Sequence, residues 1–223
     1  MLDAQTDKVE VDLLPIEDDD LIEVADGNLA AFPTFYGPLE PESIRPNHDI
    51  RVRRQANRLR KVLASPHVLG TKAVLASGED KGKLVGITLW HRPGAPIFNL
   101  KRRFGEESDE DSENWVGVDP EAWNGKWGGW DEVRKGIMGE QPHWYLAPIW
   151  VIPQYHGKGI GRKLITQVLD MADQQSPSVP IYLEASADGK KMYEKLGFVV
   201  EGGGEYVEMV RWSPDGKRRE EVQ

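Results

Sequence analysis

Apolar and polar residues group along this chain into blocks that read as strands and helices, punctuated by proline and glycine. Residues 9–14 form a short strand that Pro15 ends. A helix follows over 17–32. Asp18, Asp19 and Asp20 crowd its start, where the helix dipole favours negative charge, and Leu21, Ile22, Val24, Leu29 and Phe32 supply its apolar face. Pro33, Gly37, Pro38 and Pro41 break the next stretch into a loop. A second helix starts at 48 or 49 and runs to 64. Strands over 71–76 and 84–89, the second extendable to 91, flank Gly78-Glu79-Asp80-Lys81-Gly82 and read as an antiparallel hairpin.

Residues 93–141 are the least regular. They hold the acidic run 106–113, expected to be solvated, and Trp115, Trp123, Trp127 and Trp130, whose apolar area seeks burial. An insertion ordered after Glu113, with a short helix over 130–138, accounts for both. It either covers an acceptor site or is a packed structural flap. Beyond it the pattern is regular again: strand 143–151, helix 159–173, strand 180–185, helix 187–196, and closing strands 198–201 and 206–212. No repeat and no linker composition marks a second domain, so 1–212 read as one domain, followed by a charged tail over 213–223 whose end is frayed.

Composition narrows the chemistry. The 223 residues include no cysteine, which excludes disulfides, thiolate metal sites and cysteine nucleophiles. No apolar run approaches the roughly 18 residues of a membrane span, and the N-terminus lacks the basic-then-apolar order of a secretory signal. A net charge of −9 argues against nucleic acid as a partner and suits a cationic substrate. The helix after 48 runs against that balance, with Arg51, Arg53, Arg54, Arg58, Arg60 and Lys61. It is either a solvated face or a rim meeting an anionic ligand. The expectations are a cytoplasmic protein, monomer or homodimer, with neither membrane nor nucleic-acid partner.

One motif is specific. The apolar run Tyr145-Leu146-Ala147-Pro148-Ile149-Trp150-Val151 is followed by Gln154-Tyr155-His156-Gly157-Lys158-Gly159-Ile160-Gly161. Ile160, Leu164, Ile165, Val168, Leu169 and Ala172 then share one helical face. Strand, glycine turn and amphipathic helix occur in that order. Glycines let the backbone approach a ligand closely, and the first N–H groups of the helix have no internal partners, which makes an anion site. Lys158, Arg162 and Lys163 add positive charge. A P-loop is excluded, because Arg162-Lys163 stands where Lys-Ser/Thr belongs. A dinucleotide fingerprint is excluded too, because position 162 is arginine and the turn lies late in the chain.

Gln154-x-x-Gly157-x-Gly159 after a strand resembles the acetyl-CoA signature of the GCN5-related N-acetyltransferase (GNAT) superfamily. Met192-Tyr193-Glu194-Lys195-Leu196-Gly197-Phe198 resembles that superfamily's second hallmark. The likeness is strong over 144–200 and only topological before that. It implies an α/β (α+β) fold: a mixed, mostly antiparallel sheet of about seven strands flanked by helices, its central strands splayed where the pantetheine arm enters. It implies acetyl-CoA as cosubstrate, no metal, and direct acetyl transfer to a primary amine of a small molecule or peptide. The alternative is a degenerate acyl-CoA-binding sensor or scaffold.

The resemblance also assigns roles. Main-chain groups of Ile149, Trp150 and Val151, freed by a bulge, polarise the thioester. Gly157, Lys158, Gly159, Ile160, Gly161 and Arg162 hold the pyrophosphate. Tyr193 protonates the leaving thiolate, unless it is a core ring packed on Phe198 past a left-handed Gly197. Ser186 stands where many relatives carry a cofactor-contacting asparagine, and it can cap the following helix. For the base, Glu184 is the first choice and His143 the alternative. Gln154 shapes the turn, and His156 faces solvent or the phosphate edge.

Overall fold

A computed structural model describes residues 9–96, 109–204 and 206–213. The expected frayed tail 215–223 and acidic residues 106–108 lie outside them. The elements are β1 (Val11–Pro15), α1 (Leu21–Ala31), α2 (Pro33–Leu39), α3 (His48–Leu63), β2 (Val68–Leu75), β3 (Leu84–His91), α4 (Asp109–Ser112), α5 (Pro120–Met138), β4 (Trp144–Val151), α6 (Ile160–Gln174), β5 (Ile181–Ala185), α7 (Ala187–Glu194), β6 (Val199–Val200) and β7 (Val207–Arg211). They fall into two compact units. One takes in the chain up to Ile16, Leu69–Pro93 and everything described from Pro142 on; the other is Glu17–Val68 with the described part of Gly94–Gln141.

The first unit is a seven-stranded sheet in the order β1-β2-β3-β4-β5-β7-β6. β4 and β5 are parallel, because α6 carries the chain back across the sheet; β1–β2, β3–β4, β5–β7 and β6–β7 are antiparallel. The apolar face of α6 is that expected from its 3.6-residue period: Ile160, Leu164, Ile165, Val168, Leu169 and Ala172 are all buried. They pack on Trp90, Trp144, Leu146, Ile181, Leu183 and Met209 of the sheet, and on Val11, Ala73 and Leu75 further along. At about 1.5–3 kcal/mol per buried large aliphatic side chain, this face fixes α6, and so the turn before it, to the sheet.

The second unit is helical, and two expectations change there. Residues 33–39 form α2 rather than a loop. Pro33 sits in the first turn, where a missing N–H costs nothing, and Pro38 falls in the last turn, so only one helical bond is lost. The short helix expected over 130–138 is the last half of α5, which starts at Pro120 behind the N-cap Asp119, whose carboxylate accepts from the Ala122 N–H. Four glycines disguise it. The missed signal is the spacing of Trp123, Trp127 and Trp130, one helical stripe at i, i+4 and i+7. Trp127 and Trp130 lie against Phe35 of α2, ring centroids 5.4 Å away in each case.

Within the acidic run Asp111 in α4 departs from the expected solvation, being only 13% exposed and paired with Lys61 at 2.9 Å, while Glu113 is exposed. The cations of α3 serve this unit internally. Glu40 is bonded by Arg51 at 2.6 Å and Arg58 at 3.1 Å, Arg54 donates to the Val116 carbonyl, and Arg60 pairs with Asp18. The rim reading of this helix gains no support from these contacts; Arg53 alone of the six is exposed with no bond of this kind among the described residues.

Candidate active site

The glycine turn adopts the conformation its sequence requires. Gly157 and Gly159 have φ of 73° and 87°, the left-handed region, and a side chain at either would meet open space. Gly159 is the N-cap of α6, and the first helical bond runs from the Lys163 N–H to its carbonyl at 3.0 Å. The N–H groups of Ile160, Gly161 and Arg162 precede that bond and have no acceptor within the helix. At Gly161 a Cβ would lie 3.7 Å from Met192 Sδ and 3.9 Å from Val151 Cγ2, so the helix start sits against the end of β4 and against α7.

Charge around the turn differs from expectation in one place. Lys158 is half-buried and Arg162 exposed, but Lys163 turns away to donate to the Val11 carbonyl on β1. His156 is exposed, as expected of a solvent-facing residue. Its Nε2 donates to the Val151 carbonyl at 2.6 Å, tying the turn to the last residue of β4. Nothing in the spacing of the motif signals that bond.

The splay is present. The β4–β5 ladder pairs Trp144 with Ile181, Tyr145 with Tyr182 and Leu146 with Leu183, then stops, and 147–151 run on against β3. The β3–β4 register slips between Thr88 and Trp90, so the extra residue falls at 147–148. A bulge was expected in this strand, and it lies just before Ile149, Trp150 and Val151. Its place has a reason: Pro148 cannot donate to a ladder and is tolerated at a bulge. The slip also switches faces. Trp144 and Leu146 point to the α6 side before it, Ile149 and Val151 after it, which leaves Trp150, 5% exposed, on the opposite face.

Tyr193 is placed by the way α7 ends. The Phe198 N–H donates to the Tyr193 carbonyl and the Gly197 N–H to that of Glu194, both at 3.1 Å, with Gly197 left-handed at φ 87°. This is a Schellman closure, and its usual apolar contact is the edge-on packing of Phe198 on Tyr193, centroids 5.6 Å apart. The second hallmark is therefore a helix stop that fixes the tyrosine ring. Burial holds the Tyr193 phenol above its ordinary range, so it stays protonated. Ser186 caps α7, its Oγ accepting from the Gly189 N–H at 3.2 Å.

On the other face of the sheet lies a polar row that the sequence did not disclose as a group. Tyr182 and Glu184, two apart on β5, share that face, and Glu208 of β7 pairs directly with Glu184. Tyr145 and His143 both place their rings beside Tyr182, at 5.8 and 6.2 Å, and His91 stacks on Tyr145 at 5.6 Å. Both base candidates thus converge on Tyr182. Burial first, then the charge of Glu184, drive its phenol far above the ordinary tyrosine value. Glu184 stands one residue beyond the last β4–β5 pair, at the mouth of the splay. Tyr193 packs on the α6 side, so the acid and base candidates flank the gap from opposite faces.

Known proteins give the same outline. Residues 128–214 match the acetyltransferase (GNAT) domain family. An uncharacterized N-acetyltransferase of Schizosaccharomyces pombe is 42% identical over 57 residues, which make up 25% of this chain and 22% of that protein. The chain therefore aligns with about a fifth of that relative's length. Among solved structures, histone acetyltransferase HPA2 and related acetyltransferase from Corynebacterium glutamicum shares the fold with a TM-score of 0.56 at 21% identity, over 91% of this chain and 96% of that one. Arabidopsis thaliana NAA60, solved with a bisubstrate analogue, does so with a TM-score of 0.53 at 15% identity, over 93% and 100%. The strand, glycine turn and helix, the end of the β4–β5 ladder and the Tyr193 helix stop all lie within the residues that match the GNAT domain family.

Proposed function

We propose that this protein is an acetyl-CoA-dependent N-acetyltransferase that moves the acetyl group directly to a primary amine of a small molecule or peptide. The observation that carries the reading is the left-handed Gly157–Gly159 turn at the start of α6, set beside the splay between β4 and β5. Arabidopsis NAA60, which shares the fold, has been solved with acetyl-CoA. The residues present suit that cosubstrate, which supplies an activated acyl thioester. The N–H groups of Ile160, Gly161 and Arg162, with Gly157, Lys158 and Gly159, receive the pyrophosphate. The main chain at Ile149, Trp150 and Val151 lies along the pantetheine path and polarises the carbonyl.

Glu184, on the face opposite α6 and α7, takes the proton the acceptor ammonium must shed. The freed amine attacks the carbonyl carbon, the carbon–sulfur bond breaks and Tyr193 gives its proton to the departing sulfur; the new amide nitrogen sheds its extra proton to solvent, from which the Tyr193 phenol is restored. Opposite faces suit opposite jobs: acceptor and leaving thiolate approach the carbonyl from different sides of the sheet. Ser186 positions α7 as its cap. No metal enters this scheme. Residues 1–212 act as one catalytic domain, with 213–223 a charged tail. The protein works in the cytoplasm as a monomer or homodimer, without nucleic acid or membrane; no helix among the described residues is long and apolar enough to cross one.

The test is a thiol-release assay with acetyl-CoA against polyamines, amino acids, aromatic amines, aminosugars and basic peptides. Alongside it, protection from thermal unfolding by acetyl-CoA is measured in the wild type and in Gly159→Glu. We expect turnover with at least one amine class, and protection that Gly159→Glu abolishes. Protection without turnover would support the binding module instead, and no response to acetyl-CoA would overturn both readings.

A further inference from the structure

The Ile152 N–H donates to the Val85 carbonyl at 2.9 Å, so the bonded pairs of the β3–β4 ladder here are Val85 with Ile152 and Ile87 with Trp150. Gly86 and Val151 form the unbonded pair between them. Trp150 therefore turns its N–H to Ile87. Val151 turns its N–H and carbonyl away from β3, toward the gap where the β4–β5 ladder has stopped. The Val151 carbonyl is taken by His156 Nε2 at 2.6 Å, which leaves the N–H as the polar group that Val151 offers to the gap. The closeness of the two strands depends on Gly86. A Cβ there would stand 2.7 Å from the Trp150 carbonyl oxygen and 3.3 Å from Val151 Cα, with Val151 Cγ2 at 3.0 Å. The first two are main-chain atoms and cannot swing aside as the end of a side chain can. Gly86 has no left-handed φ, so space alone requires glycine at this position. Any larger residue pushes β4 off β3 and into the gap.

We infer that Gly86 and His156 are positioning residues for acetyl transfer. Gly86 seats the Val151 main chain against β3, His156 holds its carbonyl, and together they aim the Val151 N–H at the oxygen of the thioester carbonyl. The inference rests on the transferase reading and names the donor within it. Charge develops on that oxygen as the amine adds, and a donor helps most when it is already aimed there. The side chain of Val151 ties the donor to the pyrophosphate cradle as well, since a Cβ on Gly161 in the first turn of α6 would lie 3.9 Å from the same Cγ2. Thioester and pyrophosphate are thus received at one corner of β3, β4 and α6.

The experiment measures Gly86→Ala and His156→Ala, each first checked for folding, in two ways. One is steady-state acetyl transfer to the amine of the panel above that the wild type uses fastest. The other is thermal protection by CoA, which lacks the acetyl carbonyl. His156 is exposed, so His156→Ala serves alone should Gly86→Ala fail to fold. We expect kcat to fall at least about tenfold in both variants, with the KM for acetyl-CoA within about threefold of wild type and protection by CoA unchanged. A misaimed donor is felt in the transition state, whereas a merely weakened fold lowers Tm and leaves the kcat of the folded enzyme where it was. An unchanged kcat in either folded variant would overturn the inference while leaving the transferase intact. So would loss of protection by CoA, which would make these residues supports of the cofactor site as a whole. A wild type that transfers acetyl to no amine would instead remove the underlying reading, and this inference with it.

Discussion

Tyr193 illustrates how one residue holds a structural and a chemical position together. Its ring belongs to the core through Phe198, and its main-chain carbonyl closes the helix stop, neither of which involves the hydroxyl. Tyr193→Phe removes the proton donor and leaves the packing. We expect kcat to fall about 10²-fold, the size of a general-acid contribution, while Tm and protection by acetyl-CoA stay as in wild type. Unchanged kcat across the pH range would assign the residue to packing alone. Glu184 has different surroundings, beside Tyr182 and opposite a second carboxylate on β7. His143 and His91 border the same row through Tyr182 and Tyr145.

At the scale of elements, the site is held by helix ends. The start of α6 supplies the anion cradle and the end of α7 places the tyrosine, each through a left-handed glycine. Gly197 tests the second. A Cβ there would clear its surroundings, with Arg211 Nε the nearest atom at 3.7 Å, so Gly197→Ala isolates backbone strain. We expect about 1–2 kcal/mol of destabilisation by denaturant titration and a lower kcat, with the KM for acetyl-CoA unchanged.

These two ends were legible in the sequence because turn chemistry is local: Gly157, Gly159 and Gly197 must be glycine whatever surrounds them. The amphipathic face of α6 was legible for the same reason. α2 and the first half of α5 were not, since prolines and four glycines argue against helix, and only the packing of Phe35 with the tryptophan stripe outweighs that propensity. The polar row was hidden by distance, because Tyr145, Tyr182 and Glu208 meet only once β4, β5 and β7 are side by side.

For the whole molecule, three of the six tyrosines make stability depend on alkaline pH. Burial pushes Tyr36 up to about 12, and Tyr182 and Tyr193 are raised further. In the unfolded chain these phenols ionise near pH 10, while in the folded protein they stay neutral. Below pH 10 the two states bind the same protons and nothing is lost. Above it the unfolded state is favoured, and Tyr36 alone withdraws about 2–3 kcal/mol by pH 12. In a spectrophotometric titration the phenolate signal of three tyrosines should appear late and together with loss of the far-ultraviolet circular dichroism. Smooth ionisation of all six near pH 10 with the fold intact would contradict this.

The strands beside the glycine turn are interrupted twice. Residues 17–67 lie between β1 and β2, and residues 94–141 lie between β3 and β4, yet each pair of strands is adjacent in the sheet. The entropy of closing such connections grows only with the logarithm of their length, about 0.6 kcal/mol per doubling. A sheet closed by β3 and β4 therefore gives up little stability when the stretch between them lengthens, shortens or is exchanged for another. The chain is built so that its interruptions can be rewritten at low thermodynamic cost, while the register that forms the splay is written elsewhere, in β4, β5 and β7.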